Sequence, residues 1–207
     1  EEGVALGVCV KEDEILARAV VMAMPLPQAA AMLKPDYFAP ETLDRIRAIE
    51  PTAGISMDFC LSKKVSDIEG IIFTCDPCTM GMFTSNVEPA LAPRGKQLGT
   101  WYYPLPRAAM DDKEFVKNER VRFKGLIETM FPGIWRHLEY ERIIDMDIVD
   151  GAVPVVGQAW NDRPGVDCSL VRGLYFCGDS TGVPGNGGDI AFNSAIVCSQ
   201  EISKTLG

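Results

Sequence analysis

The hydrophobic pattern opens with a period of two, in which Val4, Leu6, Val8 and Val10 alternate with smaller residues. A polar turn at Lys11 to Glu14 then leads into the nearly unbroken apolar run Ala17 to Met24, so the sequence predicts a hairpin ending in a buried strand. Pro25 and Pro27 stop that strand and suit the first turn of a short helix over 28–33, where a missing N–H costs nothing. A second helix is expected after Pro40, with Leu43, Ile46 and Ile49 at helical spacing and Pro51 as its stop. Ile55, Met57, Phe59 and Leu61 return to strict alternation, the mark of a strand with one face on a core. Further short strands are expected over 70–74, 80–84 and 97–103, separated by Pro, Gly and Asn clusters as in an antiparallel or mixed sheet. The clearest helix is 111–130: Asp111 and Asp112 stand at its start, Val116, Phe123, Ile127 and Met130 share a face, and Phe131-Pro132-Gly133 ends it.

After a weakly alternating strand over 138–147 and a Gly- and Pro-rich connection over 151–166, the pattern changes. Leu174 to Cys177 is wholly apolar between Gly173 and Gly178, a loop with five glycines follows, and a helix with Ala191, Ala195, Cys198, Ile202 and Leu206 on one stripe closes the chain. Strand, glycine loop and helix, in that order, can hold a cofactor at the carboxyl edge of a sheet. The fold class expected is α/β with a mixed α+β character. No internal repeat is visible.

Composition narrows the possibilities. The chain has 207 residues, 47 % of them hydrophobic, enough to bury a substantial core. Its apolar runs fall short of a membrane span, and no basic-then-apolar leader is visible. The formal charge of -9 disfavours a nucleic-acid partner, whose phosphates demand clustered Lys and Arg. Seven cysteines at irregular spacing read as reduced thiols, which points to a cytoplasmic location. Cys75-Asp-Pro-Cys78 is a lone Cys-x-x-Cys, read either as a turn with two small buried thiols or as a metal or redox site. A closed zinc site needs two further ligands, and the only histidine, His137, is distant in sequence, so no metal is assigned. The aromatic set Phe59, Phe83, Trp101, Tyr102 and Tyr103, with Met82, either lines an apolar cavity or fills the core.

Candidate chemistry concentrates between Gly173 and Ala195. The strand would deliver Gly178 and Asp179 to the sheet edge, where Asp179 could accept hydrogen bonds from a polyol; it could equally cap a turn. Ser180 and Thr181 follow, as ligands or as loop hydroxyls that satisfy backbone groups. Gly185, Gly187 and Gly188 omit Cβ atoms where a flat ring could approach, and the helix start at Asp189 and Ile190 presents N–H groups and a positive dipole end.

This segment resembles the C-terminal flavin motif of the flavin amine oxidase and phytoene desaturase superfamily of FAD-dependent oxidoreductases. The segment Ile15-Leu-Ala-Arg-Ala-Val-Val-Met-Ala-Met-Pro25 is similar to the family phrase that returns the chain to the FAD domain before the substrate domain, and Gly95-Lys96 and Phe131-Pro132-Gly133 are similar to lesser family features. The resemblance implies an FAD-binding part over 1–34 and 150–207 and a substrate-binding domain over 35–149. It implies FAD as cofactor, with Asp179 on the ribityl chain, the Asp189 and Ile190 amides at the pyrimidine edge of the ring, and Gly178, Ser180, Thr181, Gly187 and Gly188 as further contacts. A small apolar or amine substrate is implied. The strand 55–61 has no lysine and Gly188 stands where amine oxidases carry an aromatic residue, so the chain is closer to the desaturase and carotenoid isomerase-like members. No catalytic residue is assigned.

The family's Gly-x-Gly-x-x-Gly unit, which holds the FAD pyrophosphate, does not occur in this sequence. The loop 182–188 does not replace it, since it lies after the last strand and lacks the Gly-Lys-Ser/Thr ending of a phosphate loop. The expectation is a C-terminal portion completed by a missing N-terminal half or a partner chain, binding FAD poorly or not at all alone. The rival expectation is a non-catalytic binding module.

Overall fold

The computed structural model describes residues 3–207. In chain order the first elements are β1 (Gly7–Val10), β2 (Asp13–Leu16), β3 (Val20–Ala23), α1 (Leu26–Ala31) and α2 (Pro40–Arg47). Next come β4 (Ala53–Leu61), β5 (Ile72–Cys75), β6 (Cys78–Met82), the single turn α3 (Thr84–Val87), β7 (Gln97–Leu105), α4 (Lys113–Met130) and β8 (Leu138–Met146). The chain ends in β9 (Leu174–Cys177) and α5 (Gly188–Leu206). The result is a mixed α/β architecture in two compact units, one of residues up to Pro51 together with Asp150–Gly207, the other Thr52–Val149. The division expected after residue 34 falls inside the first unit's core: Phe38, Leu43, Ile46 and Ile49 pack there with Leu26, Leu174 and Phe176. The apolar stripe of α2 is what assigns residues 35–51 to this unit.

In the first unit β1 and β2 form a hairpin, with Gly7 opposite Leu16 and Val10 opposite Asp13, but its second strand starts inside the stretch expected as the turn, and the apolar run Ala17 to Met24 expected to close it lies outside it. The strand after it is not fully buried. β3 pairs in parallel with β9, from Val20 opposite Leu174 to Ala23 opposite Cys177, and presents Val20 and Met22 to the core while Val21 stays 41 % exposed. A continuous apolar run matched a strand covered on both faces, and only one face is covered. The first helix begins two residues early because Pro27 fits inside its first turn. The stripe on α5 keeps Cys198 and Ile202 of the expected one but is rotated at its start: Ile190 and Ser194 are buried and Ala195 is exposed. The cause is polar, since Ser194 Oγ accepts from the Gly178 N–H at 2.9 Å and donates to the Ala191 carbonyl at 2.7 Å.

The second unit is a five-stranded antiparallel sheet in the order β5-β6-β7-β4-β8. Central β4 realises its alternation: Ile55, Met57, Phe59 and Leu61 are all within 1 % of complete burial. Phe59, Phe83, Trp101 and Tyr103 fill the core rather than line a cavity, while Tyr102 and Met82 are half-buried outside it. Phe59 stacks on Trp101 at 5.4 Å between centroids, and Phe83 meets Trp101 edge-on at 5.0 Å, geometries that add to simple burial. The strand expected to reach Thr84 stops at Met82, where the chain turns into α3. Helix α4 covers the sheet with Val116, Phe123 and Ile127, and Asp112 caps it by accepting from the Glu114 and Phe115 amides, each at 3.0 Å. Edge strand β8 carries charge along its length, as edges must to resist pairing. Arg120 with Asp145, Lys124 with Glu141, Arg142 with Asp58 and Lys96 with Glu139 are ion pairs along it.

Candidate functional site

The site region is the turn after β9 and the approach to α5. Leu174, Tyr175 and Phe176 are buried, and this fixes where Gly178 and Asp179 emerge at the carboxyl end of the parallel pair. Asp179 Oδ2 accepts from the Gly151 N–H at 2.8 Å, while Oδ1 accepts no hydrogen bond among the described residues. A Cβ on Gly151 would meet Asp179 Oδ1 at 2.4 Å, so a larger residue there would displace the carboxylate from this position. The main chain of the same residue is held from below: the buried Arg163 donates from Nη1 to the Asp179 carbonyl at 2.6 Å, and from Nε and Nη2 to the Gln158 carbonyl at 3.0 and 2.8 Å. Burial pulls the Arg163 guanidinium below its ordinary pKa, and the charges of Asp179 and Asp162 act against that shift. Gln158 in turn clamps Glu50, accepting from its N–H and donating to its carbonyl, both at 2.8 Å.

Ser180 and Thr181 are fully buried and serve the backbone. Ser180 Oγ accepts from the Leu26 N–H at 2.8 Å, joining the start of α1 to the turn, and Thr181 Oγ1 donates to the Gly178 carbonyl at 2.8 Å. Gly187 precedes α5 with φ 54° and ψ -127°, and around both Gly187 and Gly188 a Cβ would meet only open space. The amides expected to face a ligand have local acceptors: Asp189 donates to the Asn186 carbonyl and Ile190 to the Gly187 carbonyl, each at 3.2 Å. Among the described residues the Gly187 and Gly188 amides donate to no protein acceptor, and these are the open N–H groups of this helix start.

The residues therefore fit a polyol and an electron-rich carbonyl to this extent: a carboxylate oxygen with no protein donor on a fixed, half-buried turn, and two open amides at the head of a 19-residue helix. The structure brings Gly178, Asp179, Ser180 and Thr181 together in one turn and leaves Gly187 to Asp189 exposed. Three contributors escaped the sequence reading: Gly151, Arg163 and Ser194. A clue to Arg163 was present, since an arginine between Asp162 and Pro164 in a Gly- and Pro-rich connection has many carbonyls to satisfy. The clefts of about 520 and 470 Å³ lie elsewhere, one beneath the β1–β2 hairpin and the other against Phe131 to Ile134. Among the described residues no three His, Cys, Asp or Glu side chains gather in a metal-binding group, and no helix is long and apolar enough to cross a membrane.

No protein-family model matches the chain, and no curated protein matches it in sequence. Solved structures do match. An oxidoreductase from Methanosarcina mazei is 21 % identical with a TM-score of 0.70, the match covering 96 % of this chain and 47 % of that one. A protein from Pyrococcus furiosus is 16 % identical with a TM-score of 0.61, covering 92 % and 42 %. A candidate protoporphyrinogen oxidase from Exiguobacterium is 14 % identical with a TM-score of 0.55, again covering 92 % and 42 %. The chain thus spans less than half the length of these structures, and over nearly all of its own length it shares their fold.

Proposed function

We propose that this chain is the C-terminal part of an FAD-dependent oxidoreductase, with the turn at Asp179 and the head of α5 contributing one wall of the flavin site. The observation that carries the reading is Asp179 itself: one carboxylate oxygen is tied to Gly151, the carbonyl is tied to Arg163, and the second carboxylate oxygen is left for a ligand. A carboxylate preorganised in this way accepts ribityl hydroxyls without reordering on binding. The open Gly187 and Gly188 amides and the helix dipole suit the carbonyl edge of the ring. Ser180 and Thr181 act indirectly, by fixing the turn, and Gly178 is placed by Ser194. The match to an oxidoreductase along 96 % of this chain supports the same reading at the level of fold.

When bound, the flavin would supply the hydride acceptor, and the protein's share is to orient substrate and exclude water. The substrate class proposed is a small apolar molecule or an amine, with desaturase-like chemistry favoured because strand β4 carries no lysine. A Gly-x-Gly-x-x-Gly half, on the same polypeptide or on a separate chain, would hold the pyrophosphate. The location proposed is the cytoplasm. The test is the absorption spectrum of the full-length gene product, purified with whatever chain accompanies it: flavin bands are expected, and Asp179→Ala should lower FAD retention at least tenfold with the fold intact. A colourless, folded full-length product that takes up no added FAD overturns the proposal.

A further inference from the structure

The Cys75-Asp-Pro-Cys78 segment plays no part in the flavin reading, and its placement gives it a chemistry of its own. Cys75 ends β5 and Cys78 begins β6, and the two are directly opposed across the antiparallel pair, with Asp76 and Pro77 as the intervening turn. Opposed residues in such a pair project to the same face, with Cα atoms roughly 4.5 to 5.5 Å apart. A disulfide needs about 4.4 to 6.8 Å. The opposite face of the hairpin is fixed: Thr74 Oγ1 donates to the Pro77 carbonyl at 2.5 Å, accepts from the Thr79 N–H at 3.1 Å and lies 2.8 Å from Thr79 Oγ1. Thr79 is buried while both cysteines are exposed. The pair therefore stands on the solvent side of a pinned turn, reachable by a small oxidant.

We infer that Cys75 and Cys78 form a reversible dithiol–disulfide site that reacts with small-molecule disulfides. The thiolate of one cysteine attacks the oxidant's S–S bond, forming a mixed disulfide and releasing one thiolate. The second cysteine's thiolate then attacks the protein sulfur of that mixed disulfide, closing the Cys75–Cys78 bond and releasing the other thiolate. The protein loses two electrons and two protons, and the oxidant leaves as two thiols. Cyclisation outcompetes a second adduct because the neighbouring thiol is held in place, whereas a second oxidant molecule must diffuse in. Of the other five thiols, Cys168 and Cys198 are buried, Cys60 and Cys177 are half-buried, with Cys177 packed in the same apolar cluster as Cys198, and Cys9, although exposed, faces Glu14 across its hairpin.

The experiment treats the folded protein with oxidised glutathione, alkylates the remaining thiols and weighs tryptic peptides. One peptide, Val65 to Arg94, contains both cysteines. It should weigh two hydrogens less than the reduced form and return to that mass with reductant, while Cys9 carries a glutathione adduct. Cys75→Ser and Cys78→Ser should each retain one glutathione on the remaining thiol. Glutathione adducts on both cysteines of the wild-type peptide, or an unmodified peptide beside a modified Cys9, would overturn the inference.

Discussion

The two units of this chain solve burial differently. In Thr52–Val149 the sheet face built by β4 and β7 is sealed: Phe59, Phe83 and Trp101 have no more than 1 % exposure, and the edge strand β8 is guarded by ion pairs. In the other unit a parallel pair of only two strands lies between exposed apolar side chains, with Val21 at 41 %, Ile196 at 57 % and Phe192 at 74 % exposure. Parallel sheets ordinarily have both faces covered, and two strands by themselves are marginal. The lesson is that the unit with the better core carries no candidate cofactor residue, whereas the one with the candidate site relies on buried polar clamps to hold its shape.

That contrast can be broken by substitution. Phe59→Ala removes the ring at the centre of the aromatic cluster, and a loss of about 3–5 kcal/mol is expected in urea denaturation followed by tryptophan fluorescence; a loss under about 1 kcal/mol would mean that this core is not sealed. Next in size is Arg163→Met, which keeps the stem but deletes three hydrogen bonds from a charged group, at a cost of roughly 1.5–3 kcal/mol. An unchanged midpoint would show that the clamp is dispensable. Asp112→Ala should cost about 1 kcal/mol by uncapping α4, again read from the denaturation midpoint. Phe192→Ser should stay within about 0.5 kcal/mol because the ring is already in water, and a large loss would mean that the outer face of α5 is covered.

The last test is read at alkaline pH. Burial first, then the hydrogen bond to Glu119 and its charge, push the Tyr103 phenol up to about 12. An unfolded tyrosine titrates near 10. The raised value means that the contribution is complete below the unfolded pKa and disappears as pH rises through the folded one. Tyr103→Phe should therefore flatten the loss of stability between those values, as measured by base denaturation, and tyrosinate absorbance should lose a late-titrating group. An unaltered alkaline profile would show that the phenol is not held as the structure has it.

Much of the local structure was legible in the residues because it depends on short-range physics. The period of two in Ile55 to Leu61, the cap at Asp112, the stop at Phe131-Pro132-Gly133 and the order strand, glycine loop, helix after Gly173 follow from side-chain spacing and backbone restriction. Asp179 was legible as a candidate for the same reason: it directly follows a wholly apolar strand and a glycine.

Tertiary structure decided matters that turn on partners distant in sequence. It placed β3 beside β9, sent α2 to the first unit, rotated α5 through the Ser194 hydrogen bonds and committed the Ser180 and Thr181 hydroxyls to backbone groups. Only the fold could bring Gly151 and Arg163 to Asp179, and only strand register could set Cys75 opposite Cys78. The sequence determines which groups need burial or a hydrogen-bond partner. Which partner each one meets depends on long-range packing, where many pairings share one local pattern and the whole chain's burial selects among them.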